Sequence, residues 1–248
     1  MIRPGPGKAR KQVEQSHTAL RKPEPAAIWQ PDEPVEEEPL PQIGLLFAAN
    51  RAWAKHLKET DPDYFKNLAK QQKPEILWIG CADSRVPANQ IIDLPPGKVF
   101  VHRNIANVVV HSDLNCLSVL QYAVEVLAVR HVILCGHYGC GGIRDSLAKP
   151  EHGLIDNWLN HIRNVQRLHR AELDSLEGEA RVRRLCELNV IEQICNVANT
   201  TIVRDAWAAG AGPDIHGWIY SIDDGLLRSL CLWVRNDTAP FIVHEAGL

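Results

Sequence analysis

The sequence predicts an α/β fold, with a central, mostly parallel β-sheet flanked by helices. Short, largely apolar runs at residues 75–79, 98–102 and 131–135 have the length of buried strands. Segments with helical spacing of apolar residues lie before the third run and between it and a fourth run at residues 216–222. Strands that alternate with helices are typical of a parallel sheet covered by helices.

A helical region precedes these strands. From Ile43, apolar residues recur at intervals of three and four, and the pattern continues after the break at Asp61-Pro62. We expect Trp53 and Phe65 to be buried where this N-terminal helical arm packs on a neighbour. In an oligomer, that neighbour can be another subunit.

Three helical stretches are predicted between the strands. Asp113 is expected to cap a largely apolar, internal helix that reaches Leu127. Two long helical stretches follow near residues 155–171 and 180–209, and the last strand is turned by residues 223–225. The tail after Leu227 has no predicted role.

Composition limits the classes of protein to which the chain can belong. Hydrophobic residues make up 45% of it and charged residues 23%, which is ordinary for a globular protein with a sizeable core. The net charge of -3, with no block of lysine and arginine, argues against a nucleic-acid partner. No apolar run is long enough to cross a membrane. Seven cysteines, an odd number without a secretory signal, favour a reducing, cytoplasmic location.

Residues 1–41 differ from the rest of the chain. They hold eight of the sixteen prolines and few large apolar residues, with a basic first half followed by the acidic run 32–38. Such a segment buries too little apolar surface to offset its ordering entropy, so we expect a disordered arm. A mitochondrial targeting peptide is the alternative. Residues 42–248 are then the second, folded domain.

Two motifs, each placed directly after a strand, carry the candidate chemistry. Cys81 is followed closely by Asp83 and Arg85, and His137 is followed three residues later by Cys140. Parallel strands bring the loops at their carboxyl ends to one edge of the sheet, where ligands usually bind. Two thiolates and one imidazole form a zinc set with an open fourth position, which is typical of a catalytic site. The other cysteines are interpreted as small buried hydrophobes: Cys116, Cys135, Cys186, Cys195 and Cys231.

Asp83 can act in either of two ways at such a centre. It can become the fourth zinc ligand and close the site, or it can pair with Arg85 and leave room for water. The fork of Arg85 suits a bidentate grip on a carboxylate, so its charge competes with the metal for Asp83. With water bound, deprotonation yields a hydroxide nucleophile near neutral pH.

These motifs resemble those of the β-class carbonic anhydrases. The similarity includes residues 81–85, His137 with 140–142, and the segments 100–104 and 216–220, and it covers roughly residues 43–227. It implies a zinc lyase that interconverts carbon dioxide and bicarbonate by zinc-bound hydroxide attack, assembled as a homodimer or homotetramer. It makes Cys81, His137 and Cys140 the ligands, and Asp83 with Arg85 the catalytic dyad.

The resemblance extends to a subgroup in which a tryptophan, an arginine and a tyrosine bind bicarbonate away from the metal. The matching residues are Trp78, Arg103 and Tyr220, whose side chains can all donate hydrogen bonds to an anion. A bound anion would favour the closed form with Asp83 on zinc. The alternative interpretation is that Trp78 is a core residue of its strand and Tyr220 an aromatic residue of the sheet face.

The resemblance also implies a substrate pocket. Gln72 and Tyr122 match positions that line it, in some members across the dimer interface, and Ser84 belongs to it through its place beside Asp83. Two other functions keep the same residues. Hydrolysis of a similar linear molecule such as carbon disulfide would need only a change in access to the pocket. A non-catalytic zinc module would have Asp83 permanently on the metal.

Overall fold

The computed structural model describes residues 43–70, 72–148, 151–233 and 241–242. The chain divides into two units, residues 1–37 and 38–248, and every described residue belongs to the second. The predictions made for residues 1–41 therefore lie outside the described residues.

One six-stranded sheet forms the centre of the described chain. Its strands are β1 (Ile76–Cys81), β2 (Val99–Asn104), β3 (His131–His137), β4 (Asp214–Tyr220), β5 (Leu227–Trp233) and β6 (Phe241–Ile242). Their order across the sheet is β2-β1-β3-β4-β5-β6. The strands β1 to β4 pair in parallel, whereas β5 pairs antiparallel with β4 and β6 pairs antiparallel with β5. The predicted mostly parallel sheet is confirmed.

β5 extends the sheet into the tail for which the sequence predicted no role. It returns antiparallel along β4 after a turn at residues 222–224, one position before the predicted turn at 223–225. The register between the two strands shifts at a bulge between Gly217 and Trp218. A bulge opposes two residues on one strand to one on the other, so β5 does not follow a regular alternation of buried and exposed residues.

Helices flank the sheet. In the described residues they are α1 (Ile43–Thr60), α2 (Tyr64–Lys70), α3 (Ala88–Ile91), α4 (Leu114–Gln121), α5 (Gly141–Leu147), α6 (Ile155–Leu168), α7 (Arg170–Leu173), α8 (Gly178–Ala198) and α9 (Thr201–Ala208). The predicted cap of α4 is confirmed, since the Asp113 carboxylate accepts a hydrogen bond from the Asn115 N–H at 3.0 Å. A π-helical turn, Tyr122–Val126, continues α4.

Both long helical stretches predicted from the sequence are interrupted. The first ends at Leu168, because His169 leaves helical geometry, and the short helix α7 follows. The second is divided between α8 and α9. Thr200 is extended there, and its hydroxyl accepts a hydrogen bond from the Val203 N–H at 3.3 Å, so it caps a new helix.

The two faces of the sheet are covered unequally. One face carries Leu77, Ile79 and Leu134, which belong to a large core shared with α4, α5, α6, α8 and α9. The opposite face carries Trp78 and Ile133, and within the described residues it is covered by α3 alone among the helices. The large core packs against one face of β1 and β3, and Cys81 and His137 at the ends of these strands are themselves buried.

The N-terminal helices α1 and α2 contribute no buried residue to the described chain. The rings of Trp53 and Phe65 meet edge to face with centroids 5.7 Å apart, and Trp53 is 49% exposed. Among the described residues Phe65 is half-buried and Trp53 is exposed, so the predicted burial of the two rings is not met there. No helix among the described residues has both the length and the apolar character that a membrane span requires.

Candidate metal centre

The structure brings the three predicted ligands together at one edge of the sheet. Cys81 ends β1 and His137 ends β3, and these two strands are adjacent and parallel. Cys140 lies three residues after His137 and precedes the first turn of α5. Their ligand atoms all lie within 4.8 Å of one another, and the two sulfur atoms are 3.9 Å apart.

His137 presents a nitrogen that fits a metal. Its Nδ1 lies 2.9 Å from the Tyr138 carbonyl oxygen, which can only accept a hydrogen bond, so Nδ1 carries the proton. Nε2 is thereby left with a lone pair, and it is buried without a hydrogen-bond partner among the described residues. A buried, unpaired imidazole nitrogen facing two thiols is the donor set that zinc prefers.

The environment of Cys81 favours a thiolate. The hydrogen bond with Cys140 is the largest influence that lowers the pKa of Cys81, and it outweighs the burial that would raise it. The backbone N–H groups of Asp83 and Ala106 also point at the Cys81 sulfur, at 3.5 and 3.4 Å. The same hydrogen bond raises the pKa of Cys140, because its proton stabilises the neighbouring thiolate. Zinc binding requires both sulfurs to lose their protons.

Asp83 is paired with Arg85 beside this donor set. Arg85 donates from Nε and Nη2 to the two carboxylate oxygens, at 3.0 and 2.7 Å, and from its backbone N–H at 2.9 Å. These bonds lower the pKa of Asp83 to about 2. Asp83 Oδ2 also lies 3.8 Å from His137 Nε2. The carboxylate is therefore ionised, held by arginine, and close to the ligand atoms.

Arg103 supports the loop that carries Cys81 and Asp83. Its Nε donates to the Cys81 carbonyl oxygen at 2.7 Å, and its Nη2 donates to the Asp83 carbonyl oxygen. In the parallel register, Arg103 is opposite Gly80. One guanidinium thus fixes the backbone on both sides of Ala82.

Trp78 and Tyr220 lie on the sparsely covered face of the sheet, in one apolar cluster. Trp78 is 1% exposed and meets Trp218 edge to face, with ring centroids 6.3 Å apart. Residues two apart on a strand share a face, so the register places Trp78 and Arg103 on the same side. The three predicted bicarbonate residues therefore share one face, with Arg103 at the strand ends.

The indole of Trp78 also explains why a glycine follows two residues later. A Cβ atom added at Gly80 would lie 2.5 Å from Trp78 Nε1, which real contacts do not allow. We expect Gly80→Ala to displace the indole and to destabilise the fold by about 1–3 kcal/mol, as overpacking usually does. Denaturant unfolding measures this. Gly44→Ala is the control, because nothing lies within 4 Å of the added carbon there, and it should not destabilise.

The predicted substrate-pocket residues are dispersed. Ser84 is exposed in the turn between Asp83 and Arg85. Gln72 is exposed in the segment before β1, and Tyr122 is 46% exposed with its ring 5.8 Å from that of Phe100. No hydrogen bond joins Gln72 or Tyr122 to the ligand set in the described part of the chain.

Sequence reasoning missed the side chains that hold the His137 loop. The Tyr138 hydroxyl donates to Glu187 on α8 at 2.6 Å, and the guanidinium of Arg183 lies 3.6 Å over the Tyr138 ring. These contacts hold Tyr138 in place, and the carbonyl oxygen of Tyr138 is the group that orients His137. The sequence signal was the tyrosine between His137 and Cys140, but its partners are about fifty positions away and have no local signature.

A second group of possible ligands is less suited to a metal. His102, Asp113 and Cys116 lie within 4.8 Å of one another. Burial lowers the pKa of His102 and raises that of Cys116 to about 12, so the thiol stays protonated, and Asp113 already caps α4.

The other cysteines largely match their interpretation as small hydrophobes. Burial raises the pKa of Cys186 and Cys231 to about 12 and also raises that of Cys135. Cys195 is the exception, because it is only half-buried.

Comparison with known proteins identifies the family. The family model for carbonic anhydrase matches residues 76–227. A carbonic anhydrase from Emericella nidulans is 49% identical over 186 residues, which are 75% of this chain and 82% of that protein. A tetrameric β-carbonic anhydrase from Sordaria macrospora has a similar structure, with a TM-score of 0.73 and 40% identity over 77% of this chain and 98% of that one. The chain belongs to the β-carbonic anhydrase family.

A second solved β-carbonic anhydrase agrees with this assignment. The Coccomyxa enzyme, in complex with acetazolamide, has a TM-score of 0.74 and 37% identity, covering 81% of this chain and 88% of that one. β-Carbonic anhydrases use zinc, and in this carbonic anhydrase the Cys-His-Cys cluster is the candidate site for the ion.

Proposed function

We propose that this carbonic anhydrase interconverts carbon dioxide and bicarbonate at a zinc ion held by Cys81, His137 and Cys140. The observation that carries the proposal is the buried, unpaired Nε2 of His137, which faces two sulfur atoms 3.9 Å apart. A buried polar nitrogen is expected to have a partner that uses its lone pair. Bound zinc supplies Lewis acidity that makes water a nucleophile near neutral pH.

Asp83 and Arg85 orient the reaction. In this proposal the ionised Asp83 accepts a hydrogen bond from the attacking water and so directs a lone pair of that water toward the carbon of carbon dioxide. Because the pKa of Asp83 is lowered to about 2, the carboxylate does not retain the proton at neutral pH, and the proton passes to solvent. Rotation of Asp83 away from Arg85 would instead supply a fourth ligand and close the site.

Zinc content and stopped-flow hydration, measured together from about pH 7 to 9, test this function. We expect one zinc per chain and hydration of carbon dioxide that disappears when a chelator removes the metal. Restoring zinc should restore the rate. A fully zinc-loaded sample that is inactive throughout this range would contradict the proposal and favour a non-catalytic zinc module.

We also propose that Trp78, Arg103 and Tyr220 bind bicarbonate away from the metal. Support comes from their common face of the sheet and from the two carbonyl contacts of Arg103, to Cys81 and Asp83. An anion that accepts hydrogen bonds from Arg103 competes with the two carbonyl oxygens for its N–H groups. Binding of the anion would therefore change the position of Asp83. By linkage, bicarbonate then favours whichever arrangement of Asp83 leaves Arg103 free to bind it.

Tyr220→Phe tests the bicarbonate site, because it removes the hydroxyl and keeps the ring that packs in the apolar cluster. We expect weaker inhibition by bicarbonate and higher relative activity at low pH, with the maximal rate at high pH unchanged. The measurement is the hydration rate against bicarbonate concentration at several pH values. Tyr64→Phe on α2 is the matched control, because it removes the same hydroxyl from a tyrosine outside the proposed sites. Identical bicarbonate sensitivity in wild type and Tyr220→Phe would count against the site.

The enzyme is proposed to act as a homodimer or homotetramer, in which the substrate pocket draws on Gln72, Ser84 and Tyr122. The support is apolar surface on α1 that nothing in the described chain covers: Ile43, Leu45, Leu46, Phe47 and Trp53. Within the described residues this apolar surface faces water, and a second copy of the chain would cover it. The Sordaria relative is tetrameric.

Residues 42–248 are proposed as the catalytic domain, in a cytoplasmic enzyme. The alternative is mitochondrial import directed by residues 1–41. Cell fractionation of the full chain, compared with a chain that begins at residue 42, distinguishes the two, because only an import signal makes the location depend on those residues.

A further inference from the structure

A concave surface lined by arginine lies outside the metal centre. We call it the arginine pocket, and it has a volume of about 310 Å³. It is lined by Arg163, Gln166, Arg167, Arg170, Asp174 and Arg181. Arg163 and Arg167 are four residues apart on α6 and so lie on one side of that helix, and Arg170 begins α7 after the break at His169. Arg181 joins them from α8.

The positive charge of this pocket is only partly neutralised. Asp174 is shared between two guanidiniums, accepting from Arg170 Nε at 3.1 Å and from Arg181 Nη2 at 3.2 Å. Arg163 pairs with Asp156 at 2.8 Å. Arg167 is exposed and has no hydrogen bond or ion pair to a described residue. Four arginines and two aspartates therefore leave two positive charges in excess.

Hydrogen-bond donors in the pocket remain unused. Arg181 Nε is buried and has no partner among the described residues. The described residues also leave the Nη groups of Arg170 and the whole guanidinium of Arg167 without an acceptor. The side chains of Arg167 and Arg170 are exposed, so their donors are open to the oxygens of a ligand.

Arg163 is held in place on the wall of the pocket by hydrogen bonds. Its guanidinium donates to the Asp156 carboxylate, the Asp156 carbonyl oxygen and the Asn160 side chain, and also to the Ser146 carbonyl oxygen on α5. Its side chain is 20% exposed. A guanidinium held in this way keeps its position before a ligand arrives, so less side-chain entropy is lost on binding.

We propose that the arginine pocket binds a small molecule bearing phosphate groups. Guanidinium forks match the oxygen geometry of phosphate and bind it through two parallel hydrogen bonds. The two excess charges call for an anion with at least two negative charges. The volume of the pocket is at the lower end of the range of about 300–1,000 Å³ typical of small-molecule sites, so a compact, multiply charged ligand fits best.

Calorimetric titration of the zinc-loaded full chain with inorganic pyrophosphate tests the proposal. We expect saturable binding that weakens as sodium chloride is added, because the attraction is largely electrostatic. Arg167→Gln should reduce the affinity about tenfold, the effect of losing a hydrogen bond to a charged group. Its folding is not at risk, since Arg167 has no bond to a described residue. Arg181→Gln should weaken binding as well.

Arg204→Gln is the matched control, because it removes the same charge from an exposed arginine on α9. It should bind pyrophosphate as the wild type does. Three results would overturn the proposal: no saturable binding to the wild type, equal affinity in Arg167→Gln and wild type, or an equal loss in Arg204→Gln. The second would place the anion elsewhere, including at the metal, and the third would indicate attraction by overall charge only.

Discussion

Cys140→Ser is expected to lose zinc and, with it, carbon dioxide hydration. A serine hydroxyl stays protonated at neutral pH, so the centre would keep only Cys81 and His137 as strong donors. Changes to groups that merely orient a ligand cost roughly 10–100-fold in metal affinity, and loss of a ligand should cost more. Metal analysis after dialysis, followed by stopped-flow hydration, measures both effects.

Cys195→Ser is the matched control for this substitution. Cys195 is a half-buried cysteine on α8 and does not belong to the ligand cluster. The variant should therefore retain one zinc per chain and the wild-type rate. If Cys140→Ser also retained a full complement of zinc, Cys140 would not be a ligand.

The second large effect is expected from Asp83→Asn. The amide carries no charge and has one acceptor oxygen, so it loses the bidentate pairing with Arg85 and the ability to orient the attacking water. We expect the hydration rate to fall by about 10²–10⁴, the usual contribution of a positioned acid–base group. The zinc content should not change, because the three ligands remain in place.

Asp224→Asn controls for the loss of an arginine pair. Asp224 accepts a hydrogen bond from Arg228 at 2.6 Å and lies in the turn before β5. Its replacement should leave hydration unchanged. A wild-type rate in Asp83→Asn would mean that Asp83 takes no part in orienting the water.

The proximity of Cys81, His137 and Cys140 could be predicted from the sequence because its determinants are local. Cys81 and His137 each end a short apolar run, and parallel pairing alone brings the two together. The cap at Asp113 was predictable for the same reason, since a carboxylate just before an apolar helix satisfies the first N–H groups.

The features that were missed depend on long-range contacts. β5 is recognised only by its pairing with β4, which includes a bulge, and the anchoring of Tyr138 depends on α8. The break at Thr200 was overlooked because the apolar spacing continues through it, although threonine is a common helix cap. The separation of Gln72 and Tyr122 from the ligand cluster could not be foreseen either, because it depends on how segments distant in sequence pack together.

The arrangement of the ligands on β1, on β3 and before α5 has a consequence for folding. Cys81 and Cys140 are 59 residues apart in sequence. A single ion bound to both sulfur atoms would close the chain between them into a loop. The ligand atoms come together only when β1 and β3 are already paired. The unfolded chain cannot offer the same preformed site, so the free energy of binding adds to the stability of the folded state. A zinc ion held by Cys81 and His137 would thereby also cross-link β1 and β3, two central strands of the sheet.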